Sequence, residues 1–102
     1  MKKIINGKMY NTETASYIGS KQSDCYRNDY RYFAEDLYRK KTKEFFLHGE
    51  GGPASVYAER LSTGGYISGT KIVPLTEEEA REWVERNLEA DEYIKIFGEC
   101  EE

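Results

Sequence analysis

The sequence predicts an α+β fold: a small antiparallel sheet of four to five strands, with a short N-terminal helix and an acidic C-terminal helix pair packed on one sheet face. Three observations lead there. Asn6-Gly7 stands between short apolar runs, and an Asn-Gly pair is the strongest local hairpin signal because both turn positions need positive φ. Tyr30–Arg39 and Glu44–His48 read as two strands joined by the Lys40–Lys43 turn. Thr76-Glu77-Glu78-Glu79 is a capping box ahead of an apolar stripe at helical spacing. At 102 residues the chain has the length of a single domain, 1–102, able to bury a core without staples.

The elements follow in order. Thr12 is placed to cap a short helix that Gly19 ends, with Ala15 and Ile18 facing inward. Residues 20–29 are polar, lack periodicity and read as a loop. In the strand from Tyr30, Arg31, Phe33, Glu35, Leu37 and Arg39 share one face, and Tyr30, Tyr32, Ala34, Asp36 and Tyr38 the other. Gly49–Pro53 should break the return strand, and Pro53 should open a short helix over Ala54–Leu61. After a turn at Ser62–Gly65, Tyr66–Val73 reads as the last strand, with a bend at Gly69.

The Thr76 hydroxyl can accept from the Glu79 amide while the Glu79 carboxylate reaches back, and three first-turn carboxylates suit the helix dipole. Ala80, Trp83, Val84 and Leu88 make the buried stripe; Glu77→Arg81 and Glu82→Arg86 are i,i+4 pairs in the favourable order. A second helix, Asp91–Phe97, offers Tyr93, Ile94 and Phe97, and Gly98 stops it.

Charge separates along the chain. Fifteen Lys/Arg against nineteen Asp/Glu give a net −4. Residues 1–48 hold ten basic and six acidic side chains, residues 49–75 two of each, and residues 76–102 three basic and eleven acidic. The last third therefore carries −8. A dense carboxylate face can compete with a phosphate backbone for a basic groove, speeding the encounter in a salt-dependent way. The plainer reading is a solvated helix face. The basic half suggests a third reading, in which Arg39, Lys40, Lys41 and Lys43 contact nucleic acid beside Tyr30, Tyr32 and Tyr38, although a pI near 5.1 weighs against it. A Lys-rich turn also protects a hairpin from edge pairing.

Catalytic motifs are absent. His48 is the only histidine, and no Ser or Cys is tied to it by a recognisable motif. The glycines after it lack the P-loop pattern, so phosphate cradling is not indicated. Cys25 and Cys100 have no C-x-x-C spacing and read as free thiols in a cytoplasmic protein. No apolar run reaches the ~18 residues of a membrane span, and Met1-Lys2-Lys3 leads into no secretory segment. No metal and no cofactor are expected, and the chain reads as a non-enzyme. Tyr57, Tyr66 and Tyr93 are candidate interface anchors.

Three segments carry a resemblance: Lys3–Ala15 (KIINGKMYNTETA), Leu37–Pro53 (LYRKKTKEFFLHGEGGP), and Ile72–Ala80 (IVPLTEEEA) continuing to Ala90-Asp91-Glu92-Tyr93. Together they resemble a family of small proteins carried by phages, plasmids and integrated elements of Firmicutes, some of which are anti-CRISPR proteins inhibiting the RNA-guided nuclease of type II-A systems. One departure is Lys43, where the family's pattern has Gly, which makes positive φ harder to adopt there. The resemblance implies stoichiometric inhibition of a CRISPR effector nuclease in the bacterial cytoplasm. The nuclease's basic channels would receive the acidic face, blocking guide RNA loading or target DNA binding. The partner-binding candidates are Glu77, Glu78, Glu82, Glu85, Glu89, Asp91 and Glu92, with Glu79 spent on the cap. The alternatives are a mobile-element adaptor or regulatory protein that binds a host protein through a Tyr-rich sheet, and a small nucleic-acid-binding protein using Arg39–Lys43.

Overall fold

Asn6 and Gly7 both adopt positive φ, 52° and 79°, and so close the hairpin of β1 (Lys2–Ile5) and β2 (Lys8–Asn11) as expected. A computed structural model of the chain describes residues 1–101; Glu102, counted above in the acidic third, lies outside them. The main sheet is antiparallel and has four strands in the order β3–β4–β5–β8: β3 (Ser16–Gln22), β4 (Phe33–Arg39), β5 (Phe45–Gly51) and β8 (Gly69–Leu75). Between β5 and β8, β6 (Glu59–Arg60) and β7 (Tyr66–Ile67) form a small ribbon. Two helices follow, α1 (Glu77–Asn87) and α2 (Ala90–Phe97). The class is α+β, with both helices at the C-terminus.

Cross-strand register sorts the side chains onto two faces. Leu37 stands opposite Leu47, which stands opposite Val73; one residue on, Phe46 lies between Tyr38 and Pro74. Leu37, Phe45 and Leu47 pack with Ala80, Trp83 and Val84 of α1. Phe46 and Ile72 pack on the opposite face with Tyr10 of the hairpin. The sheet is thus covered by helices on one side and in part by the β1–β2 hairpin on the other. Leu37, Phe46 and Val84 are the largest fully buried side chains; each such burial contributes about 1.5–3 kcal/mol.

Several local expectations yield to tertiary structure. No N-terminal helix forms. The Thr12 hydroxyl is held by the Met1 amine (2.8 Å) and carbonyl, and one Asn11-centred turn leads into β3 at Ser16. Gly19 does not cap a helix; it lies in β3 beneath Leu88, whose Cδ2 would sit 2.8 Å from an added Cβ. The N-terminal hairpin is a separate sheet, and β3 takes the edge position in its place. The segment 20–29, expected to be a loop, gives its first three residues to β3, and the strand expected from Tyr30 starts at Phe33.

The helix expected over Ala54–Leu61 is also absent. The Ser55 hydroxyl donates to the Gly52 carbonyl and accepts from the Tyr57 amide, so side chain competes with helix for the backbone. This folds Tyr57 down onto Gly49 in the sheet. Consequently the glycines do not break β5, which continues through Gly51 because Tyr57 and Ser55 pack where side chains would be. The last strand is split at Ser68 into β7 and β8. At the C-terminus the local rules hold: the Thr76–Glu79 capping box is complete, and Gly98 ends α2 at φ 91°. Among the described residues no helix is long and apolar enough to cross a membrane.

Candidate functional site: an exposed acidic helix face

α1 must turn Ala80, Trp83 and Val84 inward, and this dictates where its carboxylates go. Glu78, Glu82 and Glu85 fall at i, i+4 and i+7 on the outward side, and all are exposed. Glu89 follows as the α2 N-cap residue, and Asp91 and Glu92 occupy the first turn of α2, where they also suit its dipole. Glu77 is exposed as well but pairs with Arg81 at 3.5 Å. Glu79 serves the cap, its carboxylate accepting from the Thr76 amide at 2.9 Å. The expected Glu82–Arg86 pair does not form. Arg81 is drawn elsewhere too: it donates to the Tyr93 hydroxyl at 3.3 Å and covers the Phe97 ring at 4.8 Å. Glu78, Glu82, Glu85, Glu89, Asp91 and Glu92 are thus exposed with no ion-pair partner among the described residues, and Arg86 and Lys95 are the exposed cations on the same two helices.

What aims this face is a polar contact that the sequence-based expectations do not include. Trp83 Nε1 donates to Glu35 Oε1 at 2.9 Å, and the Tyr57 hydroxyl donates to Oε2 of the same carboxylate at 2.5 Å. Glu35 thereby joins α1, the central sheet and the 53–60 segment. Burial first, and then the neighbouring Glu35 carboxylate, push the Tyr57 hydroxyl well above the usual tyrosine range. A signal for the contact does exist in the sequence: a buried Trp needs an acceptor, and Glu35 shares the strand face of Leu37.

The basic candidates do not assemble. Arg39 lies on the helix side over the Phe45 ring at 5.3 Å. Lys40 is on the other side, over Tyr10 at 4.3 Å and paired with Glu44 at 3.2 Å. Only Lys41 and Lys43 are exposed. Of the tyrosines proposed to stack on bases, Tyr32 is buried and Tyr38 is stacked on Phe46; Tyr30 alone is exposed. Among the candidate anchors, Tyr57 is buried, Tyr93 half-buried and Tyr66 exposed.

His48 stands between Asp36 and Ile72 in the sheet, half-buried on the face away from the helices. The described residues contain no group of three or more His, Cys, Asp or Glu able to hold a metal ion. Cys25 and Cys100 are free thiols. Pro53 opens no helix, so a phosphate at the glycine run would have no helix N-terminus behind it. Comparison with protein-family models, with curated proteins and with solved structures finds no match to this chain.

Proposed function

We propose that this protein is a stoichiometric inhibitor of a type II CRISPR effector nuclease that binds through its acidic helix face and blocks guide RNA loading or target DNA binding. The observation that carries the reading is the set of exposed carboxylates with no ion-pair partner among the described residues: Glu78, Glu82, Glu85, Glu89, Asp91 and Glu92. The sequence resemblance described above supports the choice of target. Such a surface meets a channel built for polyanions with complementary potential, and the gain is in encounter rate and orientation. The Trp83 Nε1 hydrogen bond to Glu35, which ties α1 to the sheet, supports an outward presentation of the α1 carboxylates. No bond is made or broken in this mechanism, and no cofactor enters it.

Charge reversal tests the proposal. E82K/E85K/E89K should abolish binding and inhibition of the nuclease, while K41E/K43E, at the exposed basic positions, should leave both intact. A pull-down with guide-free and guide-loaded nuclease identifies the step: preference for the free form indicates interference with assembly, and preference for the loaded form interference with DNA recognition. Clear binding of the protein to nucleic acid alone in a low-salt gel shift would count against the reading.

A further inference from the structure

Where α1 passes into α2, the acidic face is not purely polar. Leu88 and Glu89 are extended, and α2 starts at Ala90 with no fully buried residue of its own. α2 turns Tyr93 and Phe97 toward the core and leaves Ile94 42% exposed. The result is a groove of about 620 Å³ lined by Leu88, Tyr93 and Ile94 together with Glu85, Glu89 and Glu99. Its volume lies within the range of ~300–1,000 Å³ typical of ligand pockets. None of the three carboxylates has an ion-pair partner among the described residues.

We infer that this groove is a docking site for a partner segment in which a large apolar side chain is flanked by Lys or Arg. Among the described residues no group of three or more His, Cys, Asp or Glu is placed to hold a metal ion, and the carboxylates repel a polyanion. The combination matches a chain that brings an apolar anchor and cations together, which is how interface hot spots are built: a buried anchor inside a charged rim. Which protein supplies that segment rests on the function proposed above; the chemistry of the groove does not. The site adds what charge mimicry lacks. Carboxylates on an open face are screened by salt, whereas an apolar anchor is not.

The test uses the full chain with Cys25→Ser, so that Cys100, exposed at the groove, alone carries an environment-sensitive dye. The probes are a hexapeptide with two leucines between two Lys-Arg pairs and a control with two glycines in their place. The leucine peptide should bind more tightly by about tenfold or more. Its advantage should persist at about 1 M salt, where the Debye length is about 3 Å. Ile94→Ser, at a side chain already partly in water, should remove the advantage, and Glu85→Lys/Glu89→Lys should weaken both peptides. Equal binding of the two peptides, or a leucine preference that survives Ile94→Ser, overturns the inference. So does sedimentation showing that a second copy of the chain fills the groove at the working concentration. No nuclease is present in this titration, so loss of the groove's peptide preference and failure of the charge-reversal experiment with the nuclease are distinguishable from each other.

Discussion

Lys43 occupies a position that suits glycine. Its φ is 72°, and the turn it completes is closed by Lys43 N–H to the Lys40 carbonyl at 2.8 Å and Lys40 N–H to the Glu44 carbonyl at 2.7 Å. The chain accepts the left-handed conformation at a residue with a Cβ, which costs roughly 1–2 kcal/mol. Lys43→Gly should therefore stabilise the fold by about 1 kcal/mol in urea unfolding, after the larger unfolded-state entropy of glycine is set against the relief. No change, or a loss, would show that the turn is not strained. Beside it, Glu44 receives Lys8 at 2.9 Å and also Thr42 and Lys40, and these bonds hold its carboxyl at about 2, below its ordinary 4.5. A depressed carboxyl pKa contributes stability that is present above the unfolded value and lost as pH falls through the folded one. The stability difference between the native chain and Glu44→Gln should therefore be constant above about pH 5 and shrink between about pH 4.5 and 2. Urea midpoints across that range check it, and a difference that does not change with pH contradicts the assignment.

At the scale of elements, the signals legible in the sequence are local. The Asn6-Gly7 turn, the Thr76–Glu79 capping box, the Ala80-Trp83-Val84 stripe and the Gly98 stop each depend on residues within a turn or two of one another, and each stands as the sequence implied. The elements that differ from expectation depend on distant partners. Thr12 looks like a helix cap until the chain's own amine takes its hydroxyl, and Gly19 looks like a helix end until Leu88, far along the sequence, lies across it. Pro53 and Ala54 look like a helix start until Tyr57 is drawn to Glu35. The same division holds for the site. The exposure of Glu78, Glu82 and Glu85 follows from helical periodicity, whereas the Glu35–Trp83 bond that orients them joins β4 to α1. Gly19→Ala tests the seating of the α1–α2 junction. The added methyl must displace Leu88, so the variant should lose about 1–3 kcal/mol as an overpacked contact. A neutral result in denaturant unfolding would mean that Leu88 moves freely and the junction is loosely held.

Taken whole, the molecule separates its charges onto different elements. The helices present unpaired carboxylates from one face of the sheet, and the hairpin on the other face carries Lys2, Lys3 and Lys8, the last already engaged by Glu44. The basic turn of β4–β5 is divided between the two faces, with Arg39 over Phe45 and Lys40 over Tyr10. Whether the molecule binds through its acidic helix face is decided by the affinity of E82K/E85K/E89K for a type II effector nuclease, measured beside K41E/K43E at the same ionic strength. The first variant should lose binding while remaining folded, and the second should bind as the native chain does; undiminished binding by the first variant would rule out the acidic face as the interface.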